Sequence, residues 1–123
     1  MKYLLILSIV FSCCKTKSAA GDASIWKKVK IDFRKFDSDG LAGPENGKIA
    51  ANYEFCIPQS EKLLLQVRKI DPTAVKTAGK GRVACSDSEW LIIGSTHQKQ
   101  LQWVLYQLAS LSYVKEIQET FFE

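Results

Sequence analysis

Cys56, Cys85 and His97 are residues downstream of the N-terminal leader whose types could carry chemistry, and His97 is the only histidine among 123 residues. Two thiolates and an imidazole are zinc ligands, and a thiolate beside an imidazole is a nucleophile with its base. The spacing supports neither. There is no Cys-x-x-Cys pair, and a helix from Ser95 would put His97 in its first turn, facing solvent. Gly79-Lys80-Gly81-Arg82, with Lys76 before it, is a basic glycine loop that could meet a phosphate, but the Gly-x-x-x-x-Gly-Lys-Ser/Thr spacing is missing. Asp37-Ser38-Asp39-Gly40 begins like a calcium loop, yet its twelfth position is Lys48 where a bidentate glutamate is needed. The plainer reading is a turn-rich loop of Asx, Gly and Pro residues. Trp90, Trp103 and Tyr106 could offer a stacking surface, or sit half-buried in the core. No nucleophile–base–acid set emerges, so we expect no catalytic residue, no metal and no cofactor.

The other two cysteines, Cys13 and Cys14, follow a leader. Met1 and Lys2 precede the apolar run Tyr3–Phe11, too short to span a bilayer but suited to an export signal. Val10-Phe11-Ser12-Cys13 resembles the bacterial lipobox, in which the cysteine is lipidated and becomes the new N-terminus. Phe11 departs from the small residue usual at its place, and Cys14 leaves a second candidate cysteine. The resemblance implies a signal peptide over 1–12, lipid attachment at Cys13, and a membrane-anchored protein of the cell envelope facing the periplasm or exterior. Cleavage after Ser18-Ala19-Ala20, giving a secreted soluble protein, and an uncleaved anchor are the alternatives. Residues 13–24 are small and polar and read as a flexible tether.

Residues 25–123 are enough for one domain. Apolar content of 46% and charged content of 24% are globular values, and a net charge of +4 gives no reason to expect nucleic acid. Val29, Ile31 and Phe33 alternate with Lys28, Lys30, Asp32 and Arg34, which predicts a strand over Trp26–Phe36 with a basic outer face. That face could rest on anionic headgroups, or guard a sheet edge. Ile49–Ile57 also alternates and ends at Pro58. Ser60 can cap a helix carrying Leu63, Leu64, Val67 and Ile70, stopped by Asp71-Pro72. Thr73–Lys80 reads as a loop or helical turn, and Arg82–Cys85 as a short strand. Glu89–Gly94 is apolar on both faces and so central. Ser95 and Gln98 have capping-box spacing before a helix whose Leu101, Val104, Leu105, Leu108 and Leu111 form one stripe. Tyr113–Phe122 reads as the last strand.

From residue 48 the order is β-α-β-β-α-β. It predicts an α+β, ferredoxin-like domain: an antiparallel sheet, two helices on one face, and an extra N-terminal strand. In an oxidising compartment Cys56 and Cys85 suggest a disulfide. If both end strands that flank a third, they lie about 9.6 Å apart, beyond the roughly 7 Å a disulfide spans. A disulfide and two separate buried thiols both stay open.

The stretch from Leu101-Gln102-Trp103-Val104-Leu105 to Ser112-Tyr113-Val114-Lys115-Glu116-Ile117 resembles the end of subtilisin-propeptide-type peptidase inhibitors. That resemblance implies a ferredoxin-like fold, with Phe121-Phe122-Glu123 entering a protease cleft as an added strand. Three functions follow, in order: a lipid-anchored envelope domain that binds a protein partner or ligand without catalysis, a peptidase inhibitor, and an enzyme using Cys56 or Cys85 as a thiol. Tyr53-Glu54-Phe55-Cys56-Ile57-Pro58 and Gly94-Ser95-Thr96-His97-Gln98 are distinctive motifs with no activity attached.

Overall fold

The structure is a computed structural model that describes residues 21–121. The signal peptide expected over 1–12, the lipid site Cys13 and the terminal pair Phe122 and Glu123 lie outside the described residues.

The centre is a hairpin-like pair of long strands, β1 (Asn52–Pro58) and β3 (Glu89–Ser95), antiparallel from Asn52↔Ser95 to Pro58↔Glu89. β1 forms because its alternation separates two environments: Tyr53, Phe55 and Ile57 enter the core, while Glu54 and Cys56 point to the opposite face. β3 is central, with Leu91, Ile92 and Gly94 buried. Two three-residue strands flank the pair, β2 (Val75–Thr77) on β3 and β4 (Gln118–Thr120) on β1. The sheet is therefore antiparallel and open, in the order β2-β3-β1-β4.

Two helices complete the core. In α2 (Glu61–Ile70) the Ser60 hydroxyl accepts the Leu63 N–H, the expected N-cap, and Leu64 and Val67 are buried. In α3 (Leu101–Ser110) the leucine stripe is buried as predicted, through Leu101, Val104, Leu105 and Leu108, and Leu111 packs partly buried against the same cluster. No helix among the described residues is long and apolar enough to cross a membrane.

Four expected elements differ. The extra strand over Trp26–Phe36 is absent: the segment holds a short helix, α1 (Ala23–Trp26), and a 3-10 turn at Phe33–Lys35. Asp22 and Asp32 each accept a backbone N–H two residues on and so start turns locally, which competes with a ladder. The alternation is still used, since Val29 makes a single parallel bridge to Ile117 and Ile31 is buried. Lys28, placed on a solvent-facing side by the pattern, instead donates through Nζ to the Ala109 carbonyl in the last turn of α3 and to the Leu111 carbonyl just after it. The strand at Arg82–Cys85 is a turn. Gly81 and Ala84 have φ of 68° and 58°, values no strand contains, and β2 lies earlier, at Val75–Thr77. The capping box at Ser95 is also absent: α3 starts after Gln100 with no side-chain cap, and the Gln98 amide is used elsewhere. The final strand is limited to Gln118–Thr120.

Candidate ligand groove

Both distinctive motifs meet in one buried polar cluster. Tyr53 faces Gly94 across the β1–β3 pair, and its hydroxyl donates to Asp71 Oδ2 at 2.5 Å. Asp71 Oδ1 accepts the Thr73 N–H at 3.0 Å and its hydroxyl at 2.6 Å. Gln98 Nε2 reaches the Tyr53 oxygen at 2.9 Å and the Ser95 carbonyl at 2.8 Å. Burial, then the Asp71 charge beside it, then the bond to Asp71 push the Tyr53 phenol far above its usual value. Asp71 is 0% exposed, and among the described residues no buried side-chain N or O lacks a partner. Close by, the Thr96 hydroxyl donates to the Gly40 carbonyl and accepts the Ala51 N–H, tying the 37–48 loop to the sheet. Tyr53 and Asp71 are fully buried, and the hydroxyl and both carboxylate oxygens are bonded within the cluster. It fixes the ends of β1, α2 and β3 to one another.

The opposite face of the sheet is covered by the 78–88 loop. Cys56 and Cys85 are bonded, with Cα atoms 5.5 Å apart. The distance objection fails because Cys85 does not end a strand; it sits in a loop folded back over β1. Glu54 is 2% exposed and holds the same loop, accepting Val83 N–H at Oε2 and the Thr120 hydroxyl at Oε1. The Gly-Lys-Gly-Arg stretch is thus seated above a carboxylate, with Lys80 paired to Asp87, an arrangement opposed to phosphate binding. The sulfurs of Cys56 and Cys85 and a Glu89 oxygen lie within 4.8 Å of one another. With the sulfurs joined to each other they offer no thiolate ligand and no thiol nucleophile, and Glu89 Oε1 accepts the Ser86 N–H. His97 is exposed, beyond the Asn52–Ser95 end of the pair, away from the disulfide. The calcium-like loop closes on itself. Asp37 Oδ1 accepts the Asp39 and Leu41 N–H groups, and Oδ2 meets Lys48 Nζ at 3.0 Å.

The open site lies elsewhere, between the N-terminal segment and the outer side of α3. It is a groove of about 1210 Å³ whose aromatic lining is Trp26, Phe33, Phe36, Trp103 and Tyr106. The rings form a continuous run: Phe33 to Trp26 at 4.8 Å between centroids, Trp26 to Tyr106 at 5.2 Å, and Tyr106 to Trp103 at 6.1 Å with planes 13° apart. Trp103 and Tyr106 are three residues apart on α3, on the side opposite the leucine stripe, so they share a face directed away from the core. Gly21 enters at the rim with φ 78°, where a Cβ would strike the Tyr106 ring, and Tyr106 accepts the Asp22 N–H at 3.0 Å. The stretch Gly21–Ser24, expected to end a tether, is therefore part of this wall.

Arg34, Lys99, Gln100, Gln102 and Ser38 stand around the rim, all exposed. Trp90, expected with Trp103 and Tyr106, is not there; it lies under Lys76 Nζ at 3.9 Å. Trp26, Phe33 and Phe36 carry the groove's other wall, and the alternation accounted for them only as strand residues. The signal that points to them is an α3 apolar on two sides, which needs a second surface to cover it. The chain matches no known family, no characterised protein and no solved structure.

Proposed function

We propose that this chain is an exported, lipid-anchored protein of the cell envelope whose domain binds a ligand without chemical change, and that the aromatic groove is its binding site. The observation that carries the binding role is the run of contacting rings left open beside exposed polar side chains, at a place lined by no nucleophile–base pair. The leader and Val10-Phe11-Ser12-Cys13 support anchoring through Cys13. Residues 13–21 span at most about 28 Å, so a lipid on Cys13 would keep the groove, entered at Gly21, close to the bilayer surface. The alternative is a secreted soluble form cut before Gly21. The element order of β1 to β4 with α2 and α3, and the sheet order β2-β3-β1-β4, support a ferredoxin-like reading of the core, with the N-terminal segment as an addition to it.

Two measurements test this. The intact mass of protein taken from its own envelope should correspond to a chain beginning at Cys13 with acyl chains; a chain beginning at Met1 or Gly21 removes the anchor. Envelope components titrated into isotope-labelled full chain should shift the Trp26 and Trp103 indole N–H signals and be recovered unchanged. Conversion of a component into product would overturn the non-catalytic role.

A second reading has one observation in its favour. β4 is an edge strand, and Phe121 after it is 56% exposed, as an inhibitor that inserts its C-terminus into a subtilisin-like protease would need. Removal of residues 121–123 should then abolish inhibition; intact protein that fails to inhibit ends that reading.

A further inference from the structure

We propose that the groove is a site for an anionic saccharide, with sugar rings lying on Trp103 and Tyr106 and an acidic substituent held by Lys99 and Arg34. The proposal rests on the groove being the binding site.

Ring faces carry the first part of the argument. An aromatic face is electron-rich, and the C–H groups on one face of a pyranose are its natural partners. Trp103 is 54% exposed and stacks on Tyr106 with the planes 13° apart, so solvent reaches the Trp103 ring. Around it stand Gln100, Gln102 and Ser38, neutral groups that both donate and accept, as sugar hydroxyls do. A groove of about 1210 Å³ is larger than the roughly 300–1,000 Å³ of ordinary small-molecule pockets. It therefore fits more than one sugar unit.

Charge carries the second part. The lining contains Arg34 and Lys99 against one acid, Asp37. Asp37 is already committed to two backbone N–H groups and Lys48, which hold its carboxyl down at about 2. Arg34 uses Nε on Asp32, and Lys99 makes no ion pair among the described residues. Lys48 answers Asp37 and Asp32 answers one edge of Arg34, so Lys99 gives the groove its excess positive charge. An anionic bilayer would meet the same charge. A concave site rimmed by glutamine amides would leave those amides dehydrated and unpaired under a lipid surface, whereas hydroxyls satisfy them. A proline-rich peptide is also received by aromatic grooves. Such a peptide brings no acidic group for Arg34 and Lys99 to hold.

The test follows tryptophan emission of the full chain with three probes: tetragalacturonate, neutral chitotetraose, and phosphatidylglycerol vesicles. Tetragalacturonate should give a saturable change that weakens with added salt. Trp103→Ala should weaken its binding by about tenfold and Lys99→Gln by about threefold, the size of one ring contact and one exposed charge contact. Both positions are exposed, so both variants should keep the far-ultraviolet circular dichroism of the parent. Undiminished binding by Trp103→Ala overturns the site, and equal affinity for the two saccharides in parent and Lys99→Gln overturns the anionic requirement. A response to vesicles alone, lost in Trp103→Ala, ends the saccharide proposal and leaves the binding role intact. Shortened saccharides after incubation would overturn the non-catalytic reading while keeping the site.

Discussion

The buried Tyr53–Asp71–Gln98 cluster and the open aromatic groove stand on opposite sides of α3's first turn, and they invert what their residue types suggest. Tyrosine, aspartate and glutamine in contact look like a catalytic set. Here Tyr53 and Asp71 are fully buried, and the hydroxyl and both carboxylate oxygens are bonded within the cluster. Trp26, Phe33, Trp103 and Tyr106 look like ordinary core aromatics, yet they line a groove that reaches solvent at Trp103. Unused bonding capacity at an accessible place, and not the reactivity of the side chains, separates a binding site from a structural knot.

The largest test of this contrast is Asp71→Ala. It leaves the Tyr53 hydroxyl and both Thr73 donors without their acceptor in the interior. With about 1–3 kcal/mol for each orphaned group, a loss of about 3–5 kcal/mol of stability is expected from urea denaturation midpoints. A loss under about 1 kcal/mol would mean that the cluster is not what fixes this end of the sheet.

Reduction of the disulfide should come next. The bond closes a separation of 29 residues, which in the chain-entropy account contributes about 3–4 kcal/mol. Paired urea melts with and without reductant measure it. Because the bond lies on the face away from both α3 and the groove, reduction of a chain that stays folded should leave the groove's ligand affinity unchanged. A fall in affinity would couple the two faces.

At the groove the expectation reverses. Trp103→Ala should change stability by no more than about 0.5 kcal/mol, as for an exposed position away from the core, while weakening ligand binding about tenfold. A large stability loss would make Trp103 a packing residue and dissolve the contrast between the two regions.

Much of the scaffold was legible because it rests on period. The Leu101–Leu108 stripe, the alternation of Tyr53, Phe55 and Ile57, the Ser60 cap and the central place of Glu89–Gly94 all follow from side-chain spacing. The failures have a common cause: side chains that bond locally or at long range overrode the local pattern. Asp22 and Asp32 turned an alternating segment into a helix and a 3-10 turn. Gln98 left its capping position for Tyr53, 45 residues away in sequence. Ala84 at positive φ broke the strand expected at Arg82–Cys85, and with it the geometric case against the Cys56–Cys85 bond. The groove was half legible. Trp103 and Tyr106 were recognisable as a stacking pair, but the wall that faces them comes from a segment about 70 residues earlier, whose rings a strand pattern explains equally well.

The finest distinction concerns how the groove's rim is held. Asp37 lines the groove, and its carboxyl is held down at about 2, below the ordinary aspartate range, chiefly by the Leu41 N–H, then Lys48, then the Asp39 N–H. A depressed folded value means the carboxylate favours the folded loop. Its contribution is complete above about pH 4, the unfolded value, and is lost as pH falls through about 2. Carbon-detected titration of the Asp37 carboxyl should give a midpoint well below that of an unstructured aspartate, and Asp37→Asn should remove this part of the acid sensitivity of the 37–48 loop. Tyr53, whose phenol is moved upward by burial and by Asp71, stays protonated throughout this range. Acid should therefore loosen the rim of the groove by a small amount suited to an exposed group. An ordinary midpoint for Asp37 would mean the rim is not fixed by these bonds, and the groove would have to be shaped by its ligand.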